Sequence, residues 1–146
     1  MSDTADLVKL YSNRILALTA DMPLTDRLEN PDATVKKRAP LCGSTVTVDI
    51  KMRDGVITNY GQDVKACALG QASAAIMGGT VIGRNAEEIA KARDELRAML
   101  KDEGPAPAPP FDGLEVLIPA REYKNRHASI MLVFDALAEA MAEASA

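Results

Sequence analysis

Two cysteines, Cys42 in "APLCGST" and Cys67 in "VKACALGQ", and a single histidine, His127 in "YKNRHASIML", are the residues whose types can hold a soft metal or accept sulfur. A thiol at the start of a helix feels the positive end of the helix dipole, which favours the thiolate and so raises nucleophilicity and metal affinity. Cys67 stands where a strand gives way to a run of small residues, which is such a place. Cys42 lies in a tight turn at a strand's edge, and Gly43 permits the close approach that turn needs. Two thiols and an imidazole nitrogen form a typical soft-metal set for zinc or an iron–sulfur cluster. A fourth ligand is missing from any obvious position, with Asp63, shortly before Cys67, as the acidic candidate for zinc. The same pattern also suits two free cysteines buried as small hydrophobes. His127 taken alone reads as a partly exposed residue at a helix start.

Other chemistries find less support. The glycines at 78, 79 and 83 and the stretch "GRNAEE" lack the Lys-Ser/Thr that follows the glycines of a phosphate loop. No Ser/His/Asp triad can be drawn from spacing alone. Arg121, Lys124 and Arg126 read as a solvated charge run. The net charge of −4 and pI near 5.0 argue against nucleic acid and against an acidic membrane surface, since neither is met by a dominant basic face. No apolar run is long enough to span a bilayer, and "MSDTADLVKL" lacks the basic start and apolar stretch of a secretory signal. The cytoplasm is the expected compartment, where thiols stay reduced.

The elements that must position these residues follow from hydrophobic period. Residues 4 to 20 place Leu7, Leu10, Tyr11, Ile15 and Leu18 at helical spacing. "MPLTDRLENPD" is a loop, and "TVKKRA" reads as a short lysine-rich edge strand. From Thr45 to Met52 the alternation is strict, predicting a strand with Val46, Val48, Ile50 and Met52 buried and Thr45, Thr47, Asp49 and Lys51 wet. "RDG" supplies a turn and "VITNYGQDV" the returning strand, less cleanly patterned. The small residues "ALGQASAAIMGG" suit a closely packed helix stopped at Gly78-Gly79. Asn85 with Glu88 resembles a capping box before a helix carrying Ile89, Leu96, Met99 and Leu100. "GPAPAPP", residues 104–110, is a stiff connector within one domain spanning 1–146. The last helix presents Ile130, Met131, Phe134, Leu137 and Met141. Two or three strands followed by helices, without βαβ alternation, make an α+β fold: a small antiparallel sheet with helices over one face.

In this order the features resemble the U-type iron–sulfur cluster scaffold family: IscU, SufU and the N-terminal domain of NifU. "LYSNRIL", the hairpin "APLCGSTVTVDIKMRDGVI" and "VKACALGQASAAIM" are similar to that family's first helix, its first-cysteine turn with the following strands, and its second cysteine before a small-residue helix. The acidic, proline-rich segment between Leu100 and Tyr123 is closer to the SufU type. The resemblance implies a nascent [2Fe–2S] cluster or a zinc ion held on three cysteines helped by an aspartate or histidine. Cys42 and Cys67 match the first and second cysteines. The aspartate expected two residues after the first cysteine is Ser44. The third cysteine is absent: a gapless match of "NRHASIML" puts Ser129 there, and a histidine-to-histidine match puts Ala128 there. The proline-valine-lysine motif read by chaperones in the IscU branch is replaced by "AREYKNRH".

The resemblance implies a non-enzymatic scaffold or carrier for iron or a [2Fe–2S] cluster, with Cys42 as sulfur acceptor, Cys42 and Cys67 as ligands and His127 as an auxiliary ligand. Its expected partners are a cysteine desulfurase and apo iron–sulfur proteins, and its expected state is a monomer or weak dimer. Two alternatives stay open: a zinc-dependent sulfur acceptor that partners a cysteine desulfurase, and a metal-free regulatory protein on the same fold.

Overall fold

The computed structural model describes residues 12–40 and 42–145. In chain order these form α1 (Asn13–Ala20), β1 (Ala33–Arg38), β2 (Thr45–Arg53), β3 (Val56–Lys65), α2 (Ala68–Gly78) and α3 (Ala86–Lys101). Two 3-10 segments, Asp112–Glu122 and Lys124–Arg126, lead into α4 (His127–Ala144). The part of the expected first helix before Ser12 lies outside the described residues. From Ser12 onward the helix is present, its N-cap hydroxyl accepting from the Ile15 amide.

The three strands form one antiparallel sheet in the order β1-β2-β3. The register puts Val35 opposite Val48 and Val48 opposite Gln62, so Ala33, Val35, Val46, Val48, Ile50, Tyr60 and Gln62 share the face that meets the core. The lysine-rich β1 is the edge strand, as its composition predicts. The weaker pattern of the third strand has a local cause. Lys51 pairs with Asn59 but Met52 with Ile57, so Thr58 is an extra residue and its bulge shifts the inward phase from Ile57 to Tyr60.

The other face departs from expectation at one position. Asp49, predicted wet, is fully buried. The loop before β1 folds under the sheet, and Asp49 accepts from Arg27 Nε at 2.5 Å, Arg27 Nη2 at 3.1 Å, the Leu28 amide at 3.1 Å and Thr34 Oγ1 at 2.6 Å. Four donors offset the cost of burying the charge. Gly61 makes the passage possible, because a Cβ there would collide with the Asp26 carbonyl.

Helix α4 lies across β1 and β2 and also contacts α2 and α3, so it is the central packing element. Its buried Phe134 meets Phe111 edge to face at 5.9 Å between ring centres. The Asn85–Glu88 capping box starts α3 as the sequence predicts. Helix α2 stops at Gly78 with Gly79 at φ −73°, so no left-handed cap is used.

Within the acidic, proline-rich segment between Leu100 and Tyr123, for which the sequence predicted no helix, Asp112–Glu122 forms a 3-10 helix. Leu114, Leu117 and Ala120 are its buried residues, and their three-residue spacing makes one stripe on a helix of three residues per turn. Arg121, read as solvating charge, donates through Nε to the Met99 carbonyl at 2.6 Å and through Nη2 to the Gly104 carbonyl. It therefore satisfies backbone acceptors at the end of α3, where a cation also suits the dipole.

Candidate thiol and metal site

The turn between β1 and β2 presents Cys42. Its ends are tied by the Gly43 amide donating to the Ala39 carbonyl and the Ala39 amide donating to the Ser44 carbonyl, both at 2.8 Å. Gly43 has φ +73°, a left-handed conformation that costs glycine little. Cys42 is exposed, whereas Ser44 two residues on is only 4% exposed. The strand direction thus turns the thiol outward and the hydroxyl inward.

Cys67 is the N-cap of α2, half-buried, with extended backbone angles. Helix α4 passes close to this helix start because Gly70 has no side chain: a Cβ there would lie 2.5 Å from Ser129 Oγ and 2.9 Å from the Ala66 methyl. Ser73 Oγ, donating to the Ile130 carbonyl at 2.8 Å, fixes the same crossing. These contacts bring Ser129 to the thiols.

The result is a line of four polar side chains. Cys42 Sγ donates to Ser44 Oγ at 3.3 Å, Ser44 Oγ and Ser129 Oγ share a hydrogen bond at 3.1 Å, and Ser129 Oγ meets Cys67 Sγ at 3.4 Å. When a thiol ionises, the hydroxyl beside it can turn to donate. The Ser44 hydroxyl is the main cause holding the Cys42 thiol below its ordinary value, against a smaller opposing effect of burial, and Ser129 also contributes. For Cys67, burial is the largest influence and pushes the thiol up. The Ser129 hydroxyl, the first-turn amides of Gly70 and Leu69 and the Arg126 side chain together outweigh it, and the thiol ends below its ordinary value. Arg126, grouped by sequence with solvating charges, therefore faces the site.

His127 is not brought to the thiols. It is buried, and its Nε2–H donates to the Ala120 carbonyl at 2.9 Å. His127 and Ser129 are two positions apart on α4, about 200° around the helix, so they leave it on different sides. Asp63 is exposed on the sheet face it shares with Asp49 and Arg27, away from the core face. Among the described residues no group of three or more His, Cys, Asp and Glu side chains is placed to hold a metal ion. Ala128 is exposed, so of the two positions offered for the missing third cysteine it is Ser129 that stands between the thiols. The serine pair is what residue-type reasoning undervalues. Its signal was positional: Ser44 and Ser129 fall where the resemblance expects an aspartate and a cysteine.

No family model matches the chain. The chain is 25% identical over 141 residues, 93% of its length and 95% of the relative's, to the iron–sulfur cluster assembly scaffold protein IscU of Thermotoga maritima. A crystal structure of a putative SUF-system scaffold protein from Fervidobacterium islandicum superposes with a TM-score of 0.83 at 19% identity, covering 92% of this chain and 98% of that one, a likeness of fold. The crystal structure of a nitrogen-fixing NifU-like protein (N-terminal) from Brucella abortus superposes with a TM-score of 0.93 at 46% identity, covering 96% of this chain and 97% of that one. With the two cysteine turns, the three-stranded sheet and the capping helices all in place, the chain belongs to the U-type family of iron–sulfur cluster assembly scaffolds.

Proposed function

We propose that the protein serves iron–sulfur cluster assembly in the cytoplasm, carrying iron and sulfur as cargo on Cys42 and Cys67 and passing them on. The observation that carries this reading is the line from Cys42 through Ser44 and Ser129 to Cys67, which gathers two thiols, both biased toward thiolate, at one end of the sheet. Thiolates are the donors such clusters prefer. The more exposed Cys42 is the sulfur acceptor, and a cysteine desulfurase is the source of sulfur that this chemistry calls for.

One chain fits part of that cargo. A [2Fe–2S] cluster takes four protein donors, and the described residues offer two thiols backed by two hydroxyls, with His127 and Asp63 directed elsewhere. The test is iron and acid-labile sulfide content of protein purified without oxygen, beside Cys42→Ala. Iron with sulfide, lost in the variant, is the expected outcome; iron and sulfide unchanged in the variant would overturn the assignment of Cys42.

A second reading is a sulfur acceptor that forms no cluster, with zinc or without metal. The exposure of Cys42 together with its lowered thiol supports it. Persulfide on Cys42 after incubation with a cysteine desulfurase, with no iron retained, would favour it over the first.

A further inference from the structure

The two thiols differ in what they face. Cys42 is exposed and its Sγ bonds inward to Ser44, so a sulfur atom added to it extends outward toward solvent. Cys67 is half-buried and meets the Ser129 hydroxyl at 3.4 Å, and the same hydroxyl is joined at 3.1 Å to the Ser44 that holds Cys42. Of the two sulfurs of a Cys42 persulfide, Sγ is therefore the one turned toward Cys67.

The strands set the reach. The ladder of β2 and β3 ends with Thr45 opposite Lys65. Two residues beyond on each strand stand Gly43 and Cys67, with Cys42 beside Gly43, where neighbouring strands lie about 5 Å apart. A disulfide joins Cα atoms about 4.4–6.8 Å apart. Gly43 has φ +73° and open space where a Cβ would be, so its turn has room to bring Cys42 that last step.

Resting on the reading of Cys42 as sulfur acceptor, we propose that Cys67 resolves the Cys42 persulfide and so frees its terminal sulfur as sulfide. The Cys67 thiolate attacks Cys42 Sγ, a Cys42–Cys67 bond forms, and the bond from Sγ to the terminal sulfur breaks. That sulfur leaves as hydrosulfide with the bonding electron pair. It is reduced and Cys67 is oxidised, so the step balances without a further reactant. The sulfur donor supplies the persulfide, and a dithiol reductant restores the two thiols for the next round. Sulfide is the state of the bridging sulfur in a [2Fe–2S] cluster, so the step converts sulfur as it is delivered into sulfur as it is used.

The test treats the whole chain, reduced and metal-free, with glutathione persulfide in the absence of oxygen. Sulfide released above a protein-free control is measured, and after removal of small molecules intact mass and peptide mapping locate each sulfur. The wild type should lose two hydrogens, join Cys42 to Cys67 and release one sulfide for each disulfide. Cys67→Ser places a good N-cap residue at the start of α2, so it should keep the circular dichroism of the fold while holding the added sulfur on Cys42 and releasing no sulfide. Added sulfur that stays on Cys42 of the wild type, added sulfur that moves to Cys67, or a disulfide formed without sulfide would overturn the resolving step and leave Cys42 as the acceptor. No added sulfur on Cys42 of Cys67→Ser would overturn both.

Discussion

Ser129 Oγ and Cys67 Sγ meet at 3.4 Å where α4 crosses the start of α2, and the same hydroxyl is tied through Ser44 to Cys42. A hydroxyl so placed can donate to either sulfur once it ionises, which stabilises the thiolate. Removing it leaves Cys67 with the upward push of burial less opposed. Alkylation by iodoacetamide, followed against pH in metal-free protein, should show both thiols reacting at lower pH than an ordinary cysteine. In Ser129→Ala the profile of Cys67 should move to higher pH, with Cys42 following in the same direction. An unmoved Cys67 profile would show that the amides of Leu69 and Gly70 and the Arg126 side chain hold the thiolate unaided.

Asp49 should give the fold an acid edge. Burial alone would raise its carboxyl, but hydrogen bonds from Arg27, Thr34 and the Leu28 amide, with the charge of Arg27, hold it below its ordinary value. A carboxyl depressed in the folded state contributes stability that is complete above its unfolded value, about 3.9, and is lost as pH falls through its folded value. Urea unfolding below pH 4 should therefore weaken the wild type more steeply than Asp49→Asn. At neutral pH, Asp49→Ala should cost about 1–3 kcal/mol, the range for leaving buried hydrogen-bond donors without an acceptor, here the Leu28 amide and the Thr34 hydroxyl, while Arg27 stays half-exposed to solvent. A cost below about 1 kcal/mol, the ordinary value of an exposed pair, would show that the loop holds without it.

Asp49 also marks where sequence reasoning stops. Strict alternation from Thr45 to Met52 identified the strand and its core face, because side-chain direction in a strand is local. Whether the opposite face is wet depends on a loop some twenty residues earlier, and alternation carries no such information. The 3-10 run Asp112–Glu122 was hidden for a related reason: prolines around it read as extended chain, while its three-residue apolar stripe matches neither the helical nor the strand period. The two cysteine contexts were legible because turn and helix start are local features. Their meeting with Ser129 was not, since it depends on the crossing of α2 and α4. His127 shows the converse: its residue type suggested a ligand, and its position on α4 turns it to Ala120.

Gly70 tests that crossing directly. Its missing Cβ is what lets α4 bring Ser129 onto the start of α2. Gly70→Ala would gain helix propensity, but the added methyl meets Ser129 Oγ at 2.5 Å and Ala66 Cβ at 2.9 Å, so the helices must part. Overpacking of this kind costs about 1–3 kcal/mol. Gly113→Ala is the control, with only Ile76 carbons at 3.6 and 4.0 Å. Denaturation midpoints should fall for Gly70→Ala and change little for Gly113→Ala, and the alkylation profile of Cys67 should shift only in the former.

Ser129→Cys asks whether one atom separates this site from a self-sufficient one. The position is 1% exposed and lies between Ser44 and Cys67, so a thiol there would join the two existing thiols without leaving its place in α4. Cysteine is close to serine in size and behaves as a small hydrophobe when buried. The cost is the hydroxyl's hydrogen bonds to Ser44 and the thiols, about 1 kcal/mol of stability. Three thiolates from one chain bind zinc or iron more tightly than two, because each replaces a weaker oxygen or solvent donor. Zinc competition with a chromophoric chelator should show at least a tenfold gain in affinity for Ser129→Cys, while Ala128→Cys, on the exposed neighbour, shows none. Equal zinc affinity in the two variants would mean that Ser129 does not stand at the missing ligand's position.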